Sequence, residues 1–180
     1  VASVFDNAAE VLYEGIEVEI LYAATRDLRL FFNGGWLDAN YEEFMTDVTP
    51  TDGVVNVVDA SFLEPRNAPE YTVGLGFNFT KQIGAGEMEL FAKYTKIADF
   101  QTDVLNLNAG RTASGNSEDL SATIGYYFGD YSISLYGKNL TDEQIEWPVL
   151  LGGSPTSGVL FAAGTITRGR HLGIEFTAEF

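Results

Sequence analysis

The sequence contains no cysteine and a single histidine, His171. The first absence excludes a disulfide framework and thiolate metal sites. Together they leave too few good ligands for a transition-metal centre. Basic residues are also scarce: 10 Lys and Arg stand against 26 Asp and Glu, a formal net charge of −16. Nucleic-acid binding, which needs clustered Lys and Arg against phosphate, is excluded on that balance. No apolar run approaches the ~18–20 residues of a membrane helix. The apolar spacing i, i+3, i+4, i+7 is not sustained anywhere, so no helix is expected. The opening Val1-Ala2-Ser3-Val4-Phe5-Asp6 has neither the basic start nor the apolar centre of a secretory signal.

What is present is a period of two, from one end to the other. Tyr71, Val73, Leu75, Phe77 and Phe79 fall on one face of an extended segment, and Thr72, Gly74, Gly76, Asn78 and Thr80 on the other. Ile16, Val18, Ile20 and Tyr22 alternate with Glu17, Glu19 and Leu21. Leu120, Ala122, Ile124, Tyr126 and Phe128 alternate with Ser121, Thr123, Gly125 and Tyr127. Leu172, Ile174, Phe176, Ala178 and Phe180 alternate with Gly173, Glu175, Thr177 and Glu179. Segments 28–37, 87–96 and 131–139 alternate less cleanly, and a partial strand is expected over 1–6. Aromatics make up 13% of the chain, against the depletion that marks disorder.

Alternation by itself also fits a soluble sandwich. Strand length and aromatic placement favour a membrane. About 11 residues at a ~3.3 Å rise and ~45° tilt span ~25 Å, the height of the apolar band of an outer-membrane barrel. Trp36, Tyr41, Tyr71, Tyr94, Tyr126 to Phe128 and Tyr131 gather near expected strand ends, where rings form interfacial girdles. Short turns near 24–27, 81–86 and 128–131 alternate with long loops near 43–68, 99–117 and 142–166. In barrels the short turns are periplasmic and the long loops external, which puts the last residues on the periplasmic side. The reading is all-β: about eight antiparallel transmembrane strands in an up-and-down meander with long outer loops, in a bacterial outer membrane, surrounded by lipid and lipopolysaccharide.

Four stretches resemble the C-terminal end of the TonB-dependent receptor family. Gly15-Ile16-Glu17-Val18-Glu19 resembles its G-x-E-x-E strand opening, and Gly35-Trp36-Leu37-Asp38-Ala39-Asn40-Tyr41 its G-Y-L-D-A-x-Y strand end, with Trp36 in place of tyrosine. Asn67-Ala68-Pro69-Glu70-Tyr71 resembles an x-A-P-x-y entry, and Gly137-Lys138-Asn139-Leu140-Thr141-Asp142-Glu143 a late v-x-N-L-T-D-x. The resemblance implies that residues 1–180 are the C-terminal portion of a 22-stranded barrel, with the plug domain and the TonB-binding segment in a missing N-terminal part. It further implies energised uptake of a ferric siderophore, haem, cobalamin or a glycan by the complete protein; the residues themselves offer no catalytic set, so no enzyme activity and no cofactor are expected. Phe176 and Phe180 resemble the signal read by the barrel-insertion machinery, although Glu175 stands where that signal commonly has glycine. The alternatives are a complete eight-stranded barrel with a structural, adhesive or lipid-related role, in which first and last strands pair, and a soluble sandwich.

Candidate residues follow from these placements. Glu17, Glu19, Glu87, Glu89, Lys93 and Glu175 are expected to face the lumen, as a solvated polar surface that can meet plug or substrate. Tyr41, Phe44, Phe62, Phe100 and Trp147 are loop-side aromatics expected to reach a small-molecule ligand. Arg168, Arg170 and His171 open the last strand at the outer rim, where anchoring at the interface or contact with lipopolysaccharide phosphate is expected. A hydrolytic pair of His171 with Ser132 or Ser134 has no support in the sequence. Asp47, Asp52, Asp59, Asp99 and Asp103 match no Ca²⁺ loop and read as solvated charge. Asn78-Phe79-Thr80 and Asn139-Leu140-Thr141 fit the glycosylation triplet by chance, and Gly84-Ala85-Gly86 is a turn with no helix after it to bind phosphate.

Overall fold

The computed structural model describes residues 9–47, 56–102, 117–144, 146–153 and 160–179; for 146–153 and 160–165 it describes the strand path alone. Among the described residues ten strands follow one another: β1 Ala9–Ala23, β2 Leu28–Asp47, β3 Val57–Asp59, β4 Tyr71–Ile83, β5 Gly86–Ile97, β6 Ser117–Phe128, β7 Tyr131–Lys138, β8 Glu146–Gly153, β9 Leu160–Ile166 and β10 His171–Ala178. One sheet runs in the order β1-β2-β4-β5-β6-β7-β10, every pair antiparallel, with β3 added beside the far end of β2. β8 and β9 form a separate hairpin inside the connection from β7 to β10. Among the described residues β1 and β10 are the two edges and do not pair with each other. The pairing that a closed eight-stranded barrel requires is not found there, and the order is that of an open strip.

Connections at one end are tight, for identifiable reasons. Gly84 and Gly129 adopt φ of +62° and +55°, a left-handed conformation that costs other residues ~1–2 kcal/mol. The turns they make, 84–85 and 129–130, are shorter than the spans read from the sequence. At 24–27 the Thr25 hydroxyl accepts from the amides of Asp27 and Leu28 at 3.1 and 3.0 Å, closing the chain without glycine. A β-carbon on Gly129 would meet no atom within 4 Å. Gly129→Ala is therefore expected to lower stability by about 1 kcal/mol through the backbone alone, with Gly129→Asn closer to wild type. Urea-unfolding midpoints of the two variants in lipid vesicles check this.

At the other end the strands run past the sheet into packed loops. β2 continues through Asp47, so 43–47 is strand where the sequence suggested loop. Its register against β1 slips once: Tyr41 opposes Val11 and Glu43 opposes Glu10, leaving Glu42 as an extra residue. Residues three apart in a regular strand point to opposite faces. The bulge instead brings Tyr41 and Phe44 to the same face, where their rings stack at 4.5 Å. Phe44, Ala60, Pro65, Ala98 and Phe100 are buried, all of them at this end of the strands. Ala60 donates to the Phe44 carbonyl and Phe44 to the Ser61 hydroxyl. The Asn67 amide donates to the Gln101 carbonyl at 2.7 Å, and Gln101 Nε2 to Glu64 at 3.2 Å, tying one long loop to the next. The Ser61 hydroxyl and amide both donate to Asp59, which holds its carboxyl below the ordinary value.

The hairpin β8–β9 was not legible as strand. Pro148, with no amide to donate, sits at a register slip in β8, and Gly152-Gly153 end it, so the segment reads as loop. The expected partial strand at 1–6 lies outside the described residues.

Candidate functional site

The sheet is a single layer, so its two faces are the functional surfaces. Register places their residues side by side. On one face Ile20, Phe32, Leu75, Tyr94 and Leu120 form a row from β1 to β6, and Leu28, Phe79, Leu90, Ile124, Leu135 and Ile174 form another two rows on, out to β10. Many of these side chains are exposed, among them Leu75 at 46% and Ile174 at 71%. Burying a side chain of this size is worth ~1.5–3 kcal/mol. A dozen left half-bare in water would forgo on the order of 10–15 kcal/mol, as much as the whole net stability of a domain. Such a face calls for an apolar surrounding.

The limits of that face are marked. Beyond the Ile16–Trp36 pair it turns acidic, with Glu14 opposite Asp38. Further along, Lys96 pairs with Glu118 at 2.6 Å beside the long loops, and Lys81 stands near the short turns. No other charge lies on this face between these limits in the paired strands. Aromatics line both limits. Trp36 and Tyr71 are cross-strand partners at the long-loop end. At the short-turn end the rings of Tyr126, Phe128, Tyr131 and Phe176 contact one another in series, with centroids 5.5, 5.8 and 6.1 Å apart, the middle pair tilted and the outer two stacked. The Tyr126 hydroxyl reaches back to the Ile83 carbonyl at 2.8 Å. β4 has 13 residues, which at ~3.3 Å each and ~45° tilt rise roughly 28 Å, enough for the ~25 Å apolar band of an outer membrane.

The reverse face carries every residue named for the lumen. Glu17 opposes Gly35, Glu19 opposes Asn33, Lys93 opposes Gly76, and Glu175 opposes Ser134. Glu89 lies between Thr80 and Gly125; Glu87 lies between Gln82 and Tyr127 and accepts from Gln82 Nε2 at 2.6 Å. Glu17, Glu19, Asn33, Gly34, Gly35 and Thr72 border a hollow of about 320 Å³. The face is not uniformly polar. Phe31 lies over Gly76, Tyr136 over Gly173 and Tyr127 beside Gly125, each ring occupying space that a β-carbon on the glycine would need. Phe91 stacks on Phe31 at 6.0 Å. These rings explain why segments 28–37 and 87–96 alternate less cleanly. The missed signal was the pairing of glycine on one strand with an aromatic on its neighbour, which needs the register.

The loop aromatics part company. Phe44 and Phe100 are only 4% and 8% exposed, so they hold the loop layer together and do not present a surface to a ligand. Tyr41 stacks on Phe44, while Phe62 is 72% exposed. Trp147 lies on β8, where side chains are outside the described residues, as is Phe180. Phe176 is exposed and stacks on Tyr131. His171 opposes Lys138, whereas Ser134 opposes Glu175 and Ser132 opposes Thr177. Four residues of strand, ~13 Å, thus separate His171 from the level of Ser134, and no hydrolytic pair forms. Arg168 and Arg170 are exposed, and Arg170 lies 3.5 Å from Asp142. Among the described residues no three His, Asp or Glu side chains gather as a metal site. Asp52 and Asp103 lie outside those residues.

No protein-family model matches this chain, and no curated protein does. A solved structure does: the ferric yersiniabactin uptake receptor FyuA from Yersinia pestis superposes on 97% of the chain with a TM-score of 0.70 at 18% identity. The fold is that of a β-barrel wall. This chain spans about a quarter of that receptor, 24% of its length. Side chains are mostly different at that identity; what the two share is the meander, which the register above derives independently.

Proposed function

We propose that this chain is part of the wall of a TonB-dependent outer-membrane receptor that takes up a ferric siderophore or a similarly scarce nutrient. One observation carries the reading. An apolar face bounded by aromatic rows backs onto a charged, glycine-rich face, in an open strip whose edges β1 and β10 lack partners among the described residues. A wall of that kind separates lipid from a wet interior. The likeness to a siderophore receptor and the four motif-like stretches support the choice of ligand class. On this reading the apolar face meets outer-membrane lipid and lipopolysaccharide. The lumen side meets the plug domain of the complete receptor, and the N-terminal part of that receptor meets TonB, a separate protein. Phe176 belongs to the surface that the insertion machinery reads. The protein transports and does not catalyse.

The test is uptake. In the source bacterium, deletion of the gene under iron starvation is expected to abolish accumulation of one radiolabelled ferric siderophore, haem or cobalamin from a panel. Plasmid-borne gene is expected to restore it, and collapse of the inner-membrane proton gradient to remove it again. Unchanged accumulation of every compound would overturn the proposal of energised uptake.

A further inference from the structure

The motif Asn139-Leu140-Thr141-Asp142-Glu143 has a structural role that transport does not account for. We infer that Asn139 is a latch that ties both feet of the β8–β9 hairpin to the sheet, so that the hairpin stands as a fixed arm at the rim and not as a flap hinged at its base. The hairpin follows β7 after 139–144 and returns to β10 through 167–170. Asn139 Nδ2 donates to the Glu143 carbonyl at 2.7 Å on the outgoing foot and to the Arg168 carbonyl at 3.0 Å on the returning one. Its Oδ1 accepts from the Glu143 amide at 3.1 Å and lies 3.1 Å from the Thr141 hydroxyl. One side chain therefore bridges the two feet.

Its neighbours fasten the bridge to the sheet. The Asn139 amide donates to Asp119 on β6 at 3.1 Å, and the Leu140 amide to the Leu120 carbonyl at 2.7 Å. The Thr141 hydroxyl is 3.1 Å from the Glu118 carbonyl, and the Glu143 carboxylate accepts from the Glu118 amide. Asp142 accepts from the Arg170 amide at 2.8 Å, a second tie to the returning foot. Leu140 fills the space over Gly137, where a β-carbon would come within 2.6 Å of it.

Asparagine meets three demands at once. Position 139 has φ of 49°, which asparagine tolerates better than most residues. The site needs an acceptor for an amide and two donors for two carbonyls. Glycine satisfies only the dihedral angle, and aspartate supplies the acceptor without the donors.

The experiment compares Asn139→Gly and Asn139→Asp in the full-length protein in native outer-membrane vesicles, with no ligand involved. Hydrogen exchange is followed by mass spectrometry in peptides covering 139–144 and 167–171, and proteolysis within 145–166. Both variants are expected to exchange at least tenfold faster in both peptides and to be nicked in the hairpin at least fivefold faster, with β4 and β5 unchanged. If Asn139→Gly prevents assembly, the near-isosteric Asn139→Asp carries the comparison. Wild-type exchange and nicking in either assembled variant would overturn the latch, because only the dihedral angle or the acceptor would then matter.

Discussion

Leu75→Arg is expected to stop the protein from reaching its assembled, heat-modifiable form in the outer membrane. Leu75 stands on β4 with paired strands on both sides, between Phe32 and Tyr94, and its side chain points away from the charged face. A basic residue facing lipid near the midplane costs ~2–4 kcal/mol, a large share of a barrel's margin, and the neighbours offer it no carboxylate. The informative comparison is Asn33→Lys. Asn33 follows Phe32 in β2, so it lies at almost the same depth but on the opposite face, in the hollow bordered by Glu17 and Glu19. That lysine gains water and two carboxylates, and assembly is expected to survive. The contrast is measured by gel mobility before and after heating and by surface labelling of intact cells. Equal assembly of both variants would mean that neither face meets hydrocarbon.

That contrast also shows how much was legible beforehand. Period two in 16–22, 71–80, 120–128 and 172–178 separated the faces correctly, because an apolar face and a charged one take different side chains at every second position and little competes with that demand. The meander followed, because short and long connections alternate. What failed was wherever a residue answers to something other than the face. Tyr41 and Phe44 share a face only through the extra Glu42, and nothing in the sequence announces a bulge. Phe44 and Phe100 looked like ligand contacts because a buried loop aromatic and an exposed one have the same letter. Burial depends on partners from elsewhere in the chain, as where Ala60 donates to the Phe44 carbonyl and Asn67 to the Gln101 carbonyl beside Phe100. The N-L-T-D-E stretch was recognisable as a motif, but its hydrogen bonds reach Glu118, Asp119, Arg168 and Arg170, which no local reading connects.

The glycines of the charged face give a second large effect. Gly76→Ala is expected to be strongly destabilising and not repairable by trimming the neighbouring ring, whereas Gly173→Ala is expected to be repairable. An added β-carbon at Gly76 would lie 2.4 Å from Phe31 Cζ but also 2.3 Å from the Ala92 carbonyl oxygen. A ring can rotate away. A carbonyl in a ladder between β4 and β5 moves only by breaking strand pairing, on a central pair of the sheet. At Gly173 the three nearest atoms all belong to the Tyr136 side chain, the closest at 2.4 Å. Overpacking of this kind costs about 1–3 kcal/mol, and the backbone clash puts Gly76→Ala at or above the top of that range. Contacting residues couple, so double-mutant cycles separate the cases. Adding Tyr136→Ala to Gly173→Ala should recover most of the loss, while Phe31→Ala added to Gly76→Ala should recover little. Urea midpoints of the six variants, four single and two double, in lipid vesicles provide the numbers. Full recovery in the Gly76 cycle would mean that the ring alone, not the approach of β5, excludes a side chain there. The glycines would then be seats for aromatic rings across the whole face, and strand spacing would have no part in choosing them.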